Sequence, residues 1–554
     1  MQEAQAYRQF EDIERLVESG TDLSVLPLQP LYLAMRSTSH EQAAAILPRL
    51  SPEQRQAMQD IDFWQRDEVD PAGANWWLQT VAHCQDDKVR SEFVRSEDFL
   101  LAVKCQCEVA TFDAEDPHYP DHDNYFMTED NQLWIAMPED FAHAQELRQL
   151  IRDLYTDMGV DFAYTHLFKM VADSYMMMEE EGHRMKTGRL RDFGFVDHYD
   201  ALELEAVFAS EEAALKWLKG HTSATGDVDA GMVNQSLHAS ALSPYQGGLE
   251  DLRAALEGVT DARRRDFLQF NFVRLVNARL TLEDALKKGG LAMARAGQVA
   301  RQRLELGFSY AAEVLGSDQV FARLDFLSLH KLGHTLLDVG QRRLKLALRG
   351  VRLDEEDAFL GGVWTAFLDA AYDVPVKLKV DGSTPAQEIR SVATWRSWNQ
   401  SADTLIGALP FVAQMRQTLT TLRDEHMLTD AFYLNYAVAD IDFEAIMLSS
   451  FVNFTGGHFE RAGGPKMGVT VEELRTFYQR FFAQREGEWL VRQDEALREA
   501  VTGFLARFGL DRAVGMERWL LQVLVEQLNG YDVMVMSAED FRHVGGPILL
   551  GGGH

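Results

Sequence analysis

Apolar residues recur at three- and four-residue spacing along most of this chain, the period of helices that bury one stripe. In the first hundred residues Ala43, Ile46, Leu47 and Leu50 carry that spacing, and start signals cut the stretch into short helices. Ser39 with Gln42, Ser51 with Pro52 and Gln54, and Asp70 with Pro71 each set a side-chain oxygen over the unpaired N–H groups of a first turn. Each short helix must bury its stripe against its neighbours, which predicts an N-terminal helical superhelix. The pattern changes within residues 105–147. Aromatic and β-branched runs at 108–112 and 125–137, the second interrupted by Glu129-Asp130-Asn131, predict a small β-hairpin or meander. Helical spacing returns at 141–178 and again from 249 onward, broken by a β-prone piece at 374–380 and by Gly-rich stretches at 455–468 and 545–553. The pattern over 320–349 ends in Arg342, Arg343, Lys345 and Arg349, which predicts a left-handed cap at Gly350.

These elements describe a mostly α protein of several subdomains, as expected of 554 residues, a length beyond the growth of a single core. The expected order is a short-helix superhelical domain at 1–104 and an acidic β-hairpin with helices at 105–221. A linker rich in Gly, Ser, Asp and Asn follows at 222–248, then a basic helical segment at 249–350 and a C-terminal helical domain at 351–554.

Charge narrows the choice of partner. A formal net charge of -32 repels phosphate backbones and anionic lipid headgroups, so nucleic acid and membrane surfaces are disfavoured. The charge is uneven: residues 251–350 hold seventeen Lys/Arg against eleven Asp/Glu, whereas 105–147 holds eleven acidic residues and no Lys or Arg. Arg263, Arg264, Arg265, Arg342 and Arg343 are therefore the candidate partner-binding residues, suited to an acidic protein surface or to the chain's own acidic region. Cys84, Cys105 and Cys107 are too few and too odd in number for a disulfide framework and fit reduced thiols. The first residues, MQEAQAYRQFEDIERL, read as an amphipathic helix and not a signal peptide, and apolar stretches such as 404–415 fall short of the about 20 residues that span a bilayer. A cytoplasmic location is expected.

Two stretches, LYLAMRSTSHEQAAAILPRLSPEQRQAMQDIDFWQRDEVDP at 31–71 and EEEGHRMKTGRLRDFGFVDHYDAL at 179–202, resemble a bacterial family of unknown function and about this length. VNARLTLEDAL at 276–286 is a weaker echo of the same family. The first stretch is also loosely similar to the cytosolic helical domain of MgtE-type magnesium transporters. That likeness implies a helical superhelix, without the transmembrane part that transport requires.

Among residues that carry chemistry, His330, His334 and Asp338 follow one another at four-residue spacing, which lines two imidazoles and a carboxylate along one helical face as ligands for Zn or Fe. The Glu that makes a HExxH site a hydrolase is absent, and the bland alternative is a set of polar residues between packed helices, with Asp338 paired to Arg342. Glu180 and His183 form one copy of the Glu-x-x-His pair that di-iron bundles use twice; beside Met176, Met177 and Met178 they read instead as a Met-rich core edge with a solvated acidic end. The loop from Asp113 to Asp123, with His118 and His122 among carboxylates, reads as a solvated hairpin tip before a cation site. Cys105 and Cys107 lack the second CxxC of a zinc site, and no nucleophile elbow, dinucleotide turn or phosphate loop is present; at Gly463-Gly464-Pro465-Lys466 the proline removes an N–H that a phosphate cradle uses. The expected function is a non-enzymatic protein–protein interaction or scaffold role without a cofactor. The alternative is a divalent-metal-binding regulator or metal-dependent hydrolase using His330, His334 and Asp338.

Overall fold

The start signals of the N-terminal stretch hold the helices they predict. In the computed structural model, which describes residues 10–26, 28–221, 250–354, 356–379, 384–461, 464–465, 468–485, 487–544 and 546–551, Ser39 and Gln42 cap each other reciprocally, as do Ser51 and Gln54. Asp70 accepts the N–H of Ala72. The linker expected at 222–248 lies outside the described residues, as do Gly463 and Lys466. The protein is mostly α: 66% of it is helical, in 24 helices among the described residues, with a few small antiparallel strand pairs.

The chain packs as two compact units, each gathered from separated stretches: residues 1–206, 221–301 and 315–331 make the first, and 207–220, 302–314 and 332–554 the second. In the first unit, α1 (Pro52–Phe63) leads through a two-stranded hairpin, β1 (Trp64–Gln65) and β2 (Glu68–Val69), into α2 (Pro71–Ala82). Arg66, with φ 63, takes the left-handed conformation that this tight turn needs. α3 (Glu97–Lys104) precedes a three-stranded antiparallel sheet of β3 (Glu108–Thr111), β4 (Tyr125–Met127) and β5 (Leu133–Ala136) in the order β3-β5-β4. The central strand β5 is buried along its whole length, pairing Ile135 with Val109 on one side and with Phe126 on the other. α4 (Ala144–Met158), α5 (Tyr175–Asp192), α6 (His198–Leu204) and α7 (Ala262–Glu283) complete the elements that matter for the site.

The second unit includes parts of α8 (Gly290–Leu315) and α9 (Phe326–Gly350), with α10 (Gly362–Tyr372), α11 (Val392–Asp424), α12 (Phe443–Thr455) and α13 (Met516–Leu528). The single helix suggested by the pattern over 320–349 is two. A helix at Val320–Arg323 stops, and the Asp325 carboxylate, accepting the N–H of Ser328 at 2.8 Å, starts α9. Gly350 does not supply the left-handed cap: it is the last helical residue, and Arg352 (φ 60) turns the chain, with the N–H of Leu353 reaching Leu348 O at 3.0 Å. In the core of this unit the Trp364 ring stacks on Phe443 at 5.4 Å and on Trp519 at 4.5 Å.

Beside that stack lies Glu444, only 2% exposed, which accepts the Val363 N–H at 2.7 Å and Gln527 Nε2 at 3.2 Å. Burial overrides these donors and pushes its carboxyl up to about 7. Because the folded value is raised, the neutral acid is the stable form, and the stability it confers is complete below the unfolded value and lost as pH rises through 7. Glu444→Gln is expected to be the more stable protein at pH 8.5 and to lose less stability between pH 6 and 8.5 than the wild type, by about 1.4 kcal/mol. Urea denaturation at the two pH values measures it; parallel profiles for the two proteins would refute the assignment.

Candidate functional site

The largest cavity described, about 1030 Å³, lies within the first unit and is walled by α1, the β1–β2 hairpin, α5, α6 and the C-terminal end of α7. This volume is of the size that holds small organic ligands. Ile61, Trp64, Leu190, Phe195, Leu280 and Leu282 form apolar walls, and carboxylates, amines and two imidazoles are set among them. All three stretches quoted for the family resemblance supply lining residues: 60–67, 180–199 and 280–286.

α5 is unusual for a wall helix because none of its eighteen residues is fully buried. Polar and close-packed contacts fix it instead. Arg189 forks onto Asp60 of α1, with Nε at 2.8 Å and a terminal nitrogen at 2.6 Å, and the same terminal nitrogen reaches Asp98 of α3 at 3.2 Å. Gln56 donates the remaining hydrogen bond to Asp98 at 2.7 Å. At Gly182 an added Cβ would stand 3.1 Å from both Leu101 and Trp64, so a glycine lets the helix approach its neighbours closely. Glu179, accepting the Tyr175 hydroxyl at 2.7 Å and the Val69 N–H at 3.2 Å, ties α5 to the hairpin.

One guanidinium shared by two buried carboxylates leaves an uncompensated negative charge, and the chemistry follows from that. Asp60, with a side chain 1% exposed, is pushed up to about 6, burial outweighing Arg189; burial likewise raises Asp98. On the same helix, burial pulls the Lys186 ammonium down to about 8. Its Nζ donates to the carbonyl of Arg66 at 2.9 Å and lies 5.2 Å from the centre of the Trp64 ring. His183, one turn earlier, meets the edge of Trp64 at 5.5 Å, and its pKa falls through burial and then through the charge of Lys186. The cavity wall thus combines a carboxyl raised to about 6, an amine lowered to about 8 and an imidazole lowered from its ordinary value.

A neighbouring set of charges does structural work. Asp62 accepts the Tyr32 hydroxyl at 2.6 Å and the Trp77 indole N–H at 2.8 Å. Lys287 is fully engaged, donating to the carbonyls of Asp62 and Trp64 and pairing with Asp70 at 2.9 Å. Asp197 caps α6, and Thr281 Oγ1 holds the carbonyl of Val196 at 3.2 Å, which positions the α5–α6 connection over the cavity.

The residues singled out in the sequence are distributed differently. His330 is buried, with Nε2 3.8 Å from Glu205 Oε1. His334 lies half-buried one turn on, and Asp338 turns to Arg342 at 2.6 Å. Among the described residues no group of three or more His, Cys, Asp or Glu side chains is placed to hold a metal ion. Glu180 and His183 both line the cavity, but the expected Met-rich core edge is a correction: Met176 and Met177 are 77% and 65% exposed, because α5 has no buried stripe. The loop carrying His118 and His122 is solvent-exposed, and Cys105 and Cys107 are free thiols pushed up to about 12 by burial. Of the candidate arginines, Arg263 and Arg265 are exposed, whereas Arg264 donates to Leu324 O at 2.9 Å. Arg343 pairs with Asp403 at 3.0 Å. The acidic β region finds cations in the helix that follows it: Arg152 of α4 pairs with Glu129 and Arg148 donates to the Tyr125 carbonyl.

Asp60, Asp98, Lys186 and Arg189 were not distinguishable in the sequence. The one available signal was an eighteen-residue helix, bracketed by Ser174 and Phe193, in which charged residues interrupt every possible apolar stripe. Among the described residues no helix is long and apolar enough to cross a membrane. Neither a curated protein nor a solved structure matches the chain. A family model does match, over residues 3–540, and the chain belongs to that family, DUF6178, a family of unknown function.

Proposed function

We propose that the first unit is a small-molecule binding module, and that the protein acts on or through the molecule held in its cavity. The observation that carries this reading is the conjunction of about 1030 Å³ of space with shifted acid and base groups on its wall, Asp60 at about 6 and Lys186 at about 8. Structural ion pairs normally satisfy both partners, and Lys287 with Asp70 does so here. Lys186, in contrast, has no carboxylate within ion-pair distance among the described residues, and its amine borders open space.

The test is a thermal-shift screen of a panel of cell metabolites against the wild type and against Thr187→Trp, which fills the cavity from α5. A true ligand at about 100 times its Kd adds about 2.7 kcal/mol of stability. That gain is expected to vanish in Thr187→Trp. Stabilisation that survives the filled cavity, or a panel with no stabilising compound, would count against the reading.

The role as a non-enzymatic interaction or scaffold protein has a separate observation in its favour. Met176, Met177 and Met185 of α5 and Tyr199 and Leu202 of α6 are exposed apolar side chains on the helices that wall the cavity, a composition suited to a partner's surface.

A further inference from the structure

Resting on the cavity reading above, we infer that Lys186 is a nucleophile that forms an imine with an aldehyde or ketone held against the Trp64 wall. Four features of the site lead there. The amine lines a cavity of ligand size, and its hydrogen bond to the Arg66 carbonyl fixes its position while leaving its other bonding directions for the cavity. It has no carboxylate partner among the described residues, unlike Lys287, whose three contacts leave it no freedom to react. His183 stands one helical turn away on the same helix, within the range at which i and i+3 side chains meet, so a proton carrier adjoins the amine. The charges that act on Lys186 from the packed elements are Asp60 of α1, Lys287, Asp67 of the hairpin and Asp197 before α6, three acids against one base. These acids offset part, not all, of the desolvation cost of a cation at this position.

The chemistry balances without any oxidant or reductant. The neutral amine adds its lone pair to the carbonyl carbon, forming the N–C bond of a carbinolamine. The carbinolamine oxygen takes a proton and leaves as water, with the nitrogen lone pair closing the C=N bond. Overall, an ammonium and a carbonyl compound give a protonated imine and one water. His183 is placed to move the proton between nitrogen and oxygen, and the acids above stabilise the protonated imine. The desolvation that lowers the ammonium to about 8 supplies the neutral amine at ordinary pH, as in other lysines that form Schiff bases. The Trp64 face beside Nζ, continued by Leu190, Phe195 and Leu282, suits a carbonyl compound with an aromatic or apolar body.

The experiment uses the full chain with benzaldehyde and cyanoborohydride, which reduces imines in place, followed by digestion and mass spectrometry of every lysine. Lys186 is expected to be labelled about tenfold faster at pH 7.5 than the exposed Lys88, with a rate half-maximal near pH 8. Lys186→Arg, which keeps the cation, is expected to lose that label; binding of benzyl alcohol, a non-carbonyl twin, is measured on the wild type and on Thr187→Trp by Trp fluorescence. If benzyl alcohol binds and Thr187→Trp abolishes that binding, yet Lys186 is labelled no faster than Lys88, the imine is overturned and the cavity reading stands. If benzyl alcohol does not bind and labelling is uniform, both fall.

Discussion

Gly333→Ala is expected to abolish stable folding of the second unit. Gly333 of α9 faces the part of α8 that belongs to the same unit, and an added Cβ would lie 2.7 Å from the carbonyl carbon of Arg303 and 2.9 Å from the nitrogen of Gly307. Both obstacles are backbone, so no rotamer change relieves the clash; the helices must separate, and the packing along their seam opens with them. Overpacking of this kind destabilises by about 3 kcal/mol or more, a large fraction of a typical stability. Loss of the cooperative urea transition assigned to this unit, or its shift to much lower denaturant, is the expected measurement. A variant with an unchanged midpoint would show that the two helices do not touch as described. The neighbouring position Gly340, where an added Cβ would enter the Trp398 ring, provides a milder comparison, because there the obstacle is a side chain.

Arg189→Met is expected to destabilise the first unit by about 3–5 kcal/mol at pH 8, because it leaves the buried Asp60 and Asp98 carboxylates facing each other without a cation. The deficit has a definite pH dependence. Both carboxyls already have folded values raised by burial, Asp60 to about 6, and removing the guanidinium raises them further. An acid whose folded value is raised contributes stability below its unfolded value near 4 and forfeits it as pH rises through the folded one. The variant should therefore recover toward wild type as pH falls from 8 to 5, and adding Asp60→Asn should recover part of the loss at pH 8. A deficit that is equal at pH 5 and pH 8 would mean that Arg189 acts by packing alone. Because Arg189 also seats α5, the variant should release the wall of the cavity and weaken any ligand bound there.

What could be read from the sequence divides by the range of the interaction. Caps act within four residues, so Ser39, Ser51 and Asp70 announced their helices, and the strands at 108–111 and 133–136 followed from local β propensity. The mostly α class followed from periodicity alone. Gly350 misled because a C-terminal cap depends on where the helix hydrogen bonds run out, two residues later at Arg352. The site stayed hidden for a related reason. Asp60, Asp98 and Arg189 are separated by 38 and 91 residues along the chain, and a charge pair at that distance leaves no periodic trace. The sequence drew attention to His330, His334 and Asp338 because four-residue spacing is visible, yet the Asp338 carboxylate spends itself on Arg342. Glu180 and His183, the weaker pattern, do border the cavity, although the argument that raised them was metal ligation.

The interleaving of the two units also sets a timetable. The first unit includes residues up to 331, and Lys287, whose amine holds the carbonyls of Asp62 and Trp64 at the end of α1, belongs to its late part. A nascent chain therefore carries the N-terminal helices for some time without the segment that completes them. At typical synthesis rates of about 5–20 residues per second, roughly 20 to 60 s pass before residue 331 is made. During that interval the N-terminal residues that pack on α7, such as Gln29 against Asn277, wait for their partners.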